Sequence, residues 1–289
     1  MKSKRIAALV VAALSASLCL GAGAISPATA VTKYKLLWSQ EFNDKKVSRL
    51  SPAIWDYDLT DGYGWGNSEQ EYYTNSLRNV KVDGKGNLVI TALRLSATDP
   101  ILDHCFSCTY TSARLKTAGL LGFRYGRMIA RMKLPTNTGT WPAFWMLGND
   151  LTKGGTWPES GEIDIVETSG AAPNVVHGTV HGPGYSGCCG KGSTFYAPNP
   201  VSNGYHTYAI DWLPNKIVWT FDNKPYFTMT PADTGGNRYV FNQEFFLILN
   251  LAMGGEFPGD TDPAVKSASM TVDWIRYYSI NGQGRVFKH

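Results

Sequence analysis

The sequence predicts an all-β domain. Short alternating or apolar runs recur along it, turn-forming Gly, Pro, Asn and Asp separate them, and no long segment shows the 3.6-residue period of an amphipathic helix. The clearest runs are Asn87–Leu93, Gly126–Leu134, His206–Trp212, Lys216–Asn223, Phe245–Ala252 and Met270–Tyr278. "LPNK" and "FDNKP" supply turn chemistry between consecutive strands. Spacing of this kind argues for a sandwich or a barrel. With 289 residues, no internal repeat and no Ser/Thr/Pro-rich linker, one large domain is expected over residues 31–279, with 280–289 as a loose tail.

The first 30 residues read as a secretory leader. Lys2, Lys4 and Arg5 form a basic start, Ile6–Leu20 is mostly apolar, and Ala28–Ala30 offers a small-residue cleavage site. The apolar run is shorter than the ~20 residues needed to span a bilayer. The expected location is therefore outside the cell. Removing this leader leaves 24 Lys and Arg against 23 Asp and Glu, a net charge of +1. No basic block remains to favour nucleic acid or an anionic membrane, so a neutral partner such as a polysaccharide fits.

Cysteine usage agrees with export. Cys19 leaves with the leader, and Cys105, Cys108, Cys188 and Cys189 remain. An even number in an exported chain favours disulfides, with three connectivities open. A four-thiolate zinc site is the alternative, weakened because the second pair lacks Cys-x-x-Cys spacing. Both pairs sit in Gly-, Ser- and Pro-containing loops, so the expected role is to staple two loops together.

The chemistry concentrates in "GEIDIVET", Gly161–Thr168. Ile163, Ile165 and Val166 favour a strand, on which Glu162 and Asp164 share one face. Glu167 falls out of phase by one residue. An extra residue at Ile165–Val166, a β-bulge, returns it to the same side. Three acids on one face of an apolar strand are costly to bury unpartnered, which points to the floor of a wet cleft. Glycosidic bond cleavage wants such an array: one carboxylate attacks the anomeric carbon and another donates and then recovers a proton. Asp164 between them can share a proton and drive the two glutamate pKa values apart. An exposed polar strand edge is the plain alternative.

Aromatic residues surround this motif. Sugars present apolar C–H faces that stack on rings, and Trp141 and Trp145 of "TWPAFWML" fall on one strand face, with Trp157 just before the acids. His177 and His181 of "HGTVHG" share a strand face but stand ~13 Å apart by rise per residue, too far for one ion. A sugar-binding or acid-tuning role is assigned to His181, and packing or surface to His177.

These residues carry a resemblance. "GEIDIVE" is similar to the active-site signature of glycoside hydrolase family 16, in the bulged Glu-x-Asp-x-x-Glu form of its laminarinases, and the likeness runs from "WSQEFN" to "VDWIRYY". It implies a jelly-roll sandwich of two antiparallel sheets with a concave substrate cleft. It also implies Glu162 as nucleophile, Asp164 as its assistant and Glu167 as acid/base in a retaining endo-β-1,3-glucanase acting on β-glucan. Trp141 and Trp145 match cleft residues, and "GWGNSEQEYYT" resembles a groove loop with Trp65, Asn67 and Glu69 as sugar contacts. Arg114 matches a sugar-binding or acid-orienting arginine, with a structural salt bridge as the competing account. His181 matches a residue near the acid/base.

"MGGEFPGD" departs from the family's Gly-Gly-Asn-Trp-Pro-Gly, placing Glu256 and Phe257 where Asn and Trp stand, so a stacking ring survives and an amide becomes a carboxylate. The resemblance further implies a structural Ca²⁺ held by Glu41, the Gly86 carbonyl and Asp273, with oxygen ligands that suit a hard cation. No cofactor is needed for catalysis. The chain is expected to be a monomer that meets polysaccharide, not nucleic acid, and no membrane once the leader is removed. Mixed-linkage glucanase, galactan hydrolase and transglycosylase remain alternatives, as does a non-catalytic glucan-binding protein.

Overall fold

A strand with every second side chain apolar can bury only one face, so such strands pair into sheets that stack on their apolar sides. Leu88–Arg94 illustrates the rule: Leu88, Ile90 and Ala92 are buried while Val89, Thr91 and Leu93 are half-exposed. The computed structural model describes residues 32–289, and the leader expected over 1–30 lies outside them. Two sheets form, of eleven and nine strands, and among the described residues there are only short 3-10 turns and no α-helix.

The eleven-stranded sheet runs through Lys224–Met229, Lys216–Phe221, His206–Leu213, Gly126–Lys133, Ser267–Ile280, Leu88–Arg94, Val80–Asp83 and Val47–Ser48. Its neighbour runs through Lys191–Tyr196, Val175–His181, Glu162–Glu167, Thr140–Gly148, Phe245–Met253, Arg114–Lys116 and Asp56–Asp58. Each of the six strands read from the sequence is present, shifted only at its ends. Pairing is antiparallel except where Glu71–Tyr73 runs parallel to Tyr110–Ser112. This is the jelly-roll sandwich.

Between the sheets lies one apolar core. Phe144, Met146, Ile163, Ile165 and Val166 contribute from the acid-bearing sheet, facing Ile210, Trp212, Trp219 and Met270. Full burial of each aliphatic or Phe side chain stabilises by about 1.5–3 kcal/mol. Phe245–Met253 has every residue buried and lies between Thr140–Gly148 and Arg114–Lys116, so it anchors the middle of the sheet.

Two expectations are corrected here. Residues 280–289 are not a loose tail. Arg285–Lys288 pairs antiparallel with Leu121–Arg124, and the His289 amide donates to the Leu120 carbonyl at 3.1 Å. The Tyr277 hydroxyl accepts the Arg285 amide at 2.9 Å, which fastens the start of this strand. The cysteines do not staple two distant loops either. Cys105 and Cys108 are bonded to each other, with Cα atoms 5.8 Å apart and within disulfide reach, while Cys188 and Cys189 are free and exposed.

Candidate active site

The bulge forms where the apolar pattern demands it. Ile163 and Ile165 point inward in normal alternation, and Val166 is buried as well, so two successive residues must face the core. A regular strand would instead turn Val166 to the groove and drive Glu167 into apolar surroundings. The register shows the shift: Trp145 opposes Asp164 and Phe144 opposes Val166, leaving Ile165 as the extra residue. On the other side, Asp164 opposes Thr179 and Glu167 opposes His177. All three carboxylates thus reach one face.

A bulge strands a ladder carbonyl, and the opposite sheet supplies its partner. The buried Trp219 indole donates to the Asp164 carbonyl at 2.7 Å. Gly178 makes room for it. A Cβ there would meet Trp219 Cδ1 and the Tyr226 hydroxyl, each at 2.5 Å. The kinked backbone is therefore fixed from behind, across the core.

Indole N–H groups hold the outer carboxylates. Trp157 Nε1 donates to Glu162 Oε2 at 2.7 Å, and Trp141 Nε1 donates to Glu167 Oε1 at 2.9 Å. His181 stands directly opposite Glu162, with its Nε2 3.3 Å from Asp164 Oδ2. It thus sits at the Glu162 end of the array, and its charge is felt by Glu162 and Glu167 alike. His177 occupies the other end, paired across from Glu167 with its ring 5.2 Å from Phe257. This departs from the packing or surface role expected of His177. The alternation that links it to His181 was the available signal.

Crowding raises all three acids. Burial, then the charge of Asp164, pushes the Glu162 carboxyl up to about 8. Burial, then the charge of Glu162, pushes Glu167 up to about 7. Asp164, 2 % exposed, rises well above the usual range through burial and the charge of Glu167. The two glutamates are thus raised together and not driven far apart as expected. Carboxylate oxygens of Asp164 and Glu162 lie within 4.8 Å of each other, close enough for the two acids to influence one another's protons. The interaction between them raises Glu162 and lowers Asp164, so the shared proton favours Glu162.

Around the acids the expected residues converge. Trp141, Phe257 and His177 form one aromatic wall, with Trp141 and Phe257 centroids 5.1 Å apart. Arg114 lies between Trp65 at 4.3 Å and Trp145 at 4.8 Å, and is ion-paired with Asp58 at 3.0 Å. That is the structural salt bridge, joined to a ring-stacking role. Asn67 Nδ2 donates to Glu69 Oε1 at 2.9 Å, and the Glu256 amide donates to the Asn67 carbonyl at 2.8 Å, so these loops brace each other.

Behind them runs a network the sequence did not disclose. Trp145 Nε1 donates to Asn250 Oδ1 at 2.8 Å, Asn250 Nδ2 to the Tyr73 hydroxyl at 3.0 Å, and Tyr73 to Glu69 Oε2 at 3.3 Å. Fully buried Glu71 accepts the Met253 amide at 2.7 Å and is raised well above its ordinary range by burial and by the charge of Glu69.

The residues expected to hold Ca²⁺ are otherwise engaged. Both Glu41 oxygens accept Arg276 N–H groups at 2.9 Å, and Asp273 is paired with Arg131. Gly86 lies in the turn beside Asn43. A cation at Glu41 and Asp273 would have to displace two guanidiniums, so the donor set as it stands does not fit one.

Paired carboxylates on an aromatic-lined face of a jelly roll define a glycoside-cleaving enzyme. Comparison with known proteins places it more narrowly. Residues 67–276 match the family model described as glycosyl hydrolases family 16, and the chain belongs to that family. It is 39% identical over 256 residues to a "Beta-glucanase" of Rhodothermus marinus, covering 85% of each chain. It is 36% identical to "Glucan endo-1,3-beta-glucosidase A1" of Niallia circulans over 86% of this chain but 38% of that longer one. The laminarinase catalytic domain of Thermotoga maritima superposes with a TM-score of 0.78 at 38% identity, over 85% of this chain and 98% of that one.

Proposed function

We propose that the protein is an endo-acting hydrolase of β-1,3-linked glucan that works with retention and outside the cell. The single observation that carries this reading is the bulge at Ile165, which brings Glu162, Asp164 and Glu167 to one face beneath Trp141, Trp145 and Trp157. Glu162 attacks the anomeric carbon and forms the glycosyl-enzyme intermediate. Glu167, which holds its proton up to about pH 7, protonates the leaving oxygen and then takes a proton from the water that releases the sugar. Glu162 attacks once its proton has passed to Asp164, whose carboxyl is held well above the usual range and can accept it.

Support for the β-1,3 linkage comes from the laminarinase and glucan endo-1,3-beta-glucosidase relatives. Trp141, Phe257 and His177 offer rings against which a curved glucan chain can stack. The test is incubation with laminarin, curdlan, lichenan, agarose and xyloglucan, with products resolved by size and anomeric configuration followed by NMR. Internal cleavage of laminarin and curdlan with initial β-anomer release is the expected result. Preferential cleavage of lichenan would replace it with a mixed-linkage activity, and initial α-anomer release would overturn retention.

A further inference from the structure

The adjacent cysteines Cys188 and Cys189 take no part in the glycosidase site as described. They lie in the single 3-10 turn Gly187–Cys189, on the loop from Val175–His181 to Lys191–Tyr196. Both are exposed, and their sulfurs stand 3.1 Å apart, about 1 Å beyond the ~2.05 Å of a covalent bond. The turn is pinned at its base. The Gly182 and Tyr185 amides and carbonyls bond each other at 3.0 and 2.9 Å, and the buried Tyr185 donates its hydroxyl to the Arg238 carbonyl at 2.9 Å. Cys105 and Cys108 are already joined, so among the described cysteines these two have only each other.

We propose that Cys188 and Cys189 form a thiol–disulfide exchange site that reacts with small organic disulfides and closes into a vicinal disulfide. Deprotonation of one thiol lets its sulfur attack a disulfide RSSR, forming a mixed disulfide and expelling RS⁻. The neighbouring thiol then loses its proton and attacks the protein-bound sulfur. A Cys188–Cys189 bond forms, the second RS⁻ leaves, and the two thiolates take up the two protons. The protein dithiol is oxidised by two electrons and RSSR is reduced to two RSH. The site borders the groove: a Cβ on Gly190 would lie 2.6 Å from His181 Cε1, so the turn backs onto the ring that faces Asp164.

The test uses the full folded chain, reduced, desalted and exposed to oxidised glutathione before alkylation and peptide mass analysis. The peptide carrying both residues is expected to lose two hydrogens and to take no alkyl group. Cys188→Ser should instead retain glutathione on Cys189, because no second thiol is present to expel it. Alkylation of both cysteines in the wild type, two stable glutathione adducts, or a disulfide-linked dimer on a non-reducing gel would each overturn the proposal. These readouts do not depend on which glucan is cleaved.

Discussion

Two sets of carboxylates on opposite sheets show what partners do to an acid. On the eleven-stranded sheet Arg276 meets Glu41 and Arg131 meets Asp273, one guanidinium for each carboxylate. The pairing holds the Glu41 carboxyl below its usual range, chiefly through the Arg276 hydrogen bond. On the nine-stranded sheet Glu162, Asp164 and Glu167 share one face with indoles and imidazoles and, among the described residues, no guanidinium in hydrogen-bond contact, and all three are raised. Charge neutralised in place is structural. Charge crowded with only the His181 imidazole beside it holds protons near neutral pH, where acid–base chemistry can use them.

The sharpest way to break this contrast is to remove one crowded acid. Glu167→Gln is expected to lower kcat on laminarin by about 10²–10⁴-fold, and Glu162→Gln at least as far, with unchanged circular dichroism. Wild-type turnover in either variant would end the assignment. Next in size is the support from behind. Gly178→Val forces a side chain into Trp219, an overpacking that costs about 1–3 kcal/mol. Thermal melting should show the loss, and laminarin turnover should fall with it because the bulge moves.

A third measurement uses linkage. The Glu162 carboxyl is raised from 4.5 to about 8 in the fold, so between those pH values the native state binds the proton that the unfolded chain has released. Stability therefore falls as pH rises across that window. Glu162→Gln removes this liability, so its melting temperature should exceed that of the wild type by more at pH 8 than at pH 5. An equal difference at both would mean that the acid is not raised. The smallest effect belongs to the other sheet. Arg276→Ala breaks a pair whose side chains are about one-third exposed, so it should cost about 0–1 kcal/mol and leave the pH–rate profile alone.

How much of this could be read from the sequence differs by residue, for physical reasons. The bulge was legible because Glu167 broke a period of 2, and an extra residue brings three acids to one face while burying Val166. Trp141 and Trp145 followed from the same period. Trp219, Asn250 and Glu71 were not legible, since each acts through a partner far along the chain that only the stacked sheets bring near. Cysteine pairing failed on the same ground: count and compartment set parity, and only backbone distance selects partners. The final strand went unread because "RVFK" is too short to show alternation, and its pairing with Leu121–Arg124 is a tertiary fact.

The hydrogen bond from Trp219 to the Asp164 carbonyl has a consequence for heat inactivation. The reacting groups owe their aim to contact between the two layers and not to one ribbon alone. Loosening of the layers should therefore silence the enzyme at the same temperature at which the sandwich comes apart, leaving no interval of a folded but idle protein.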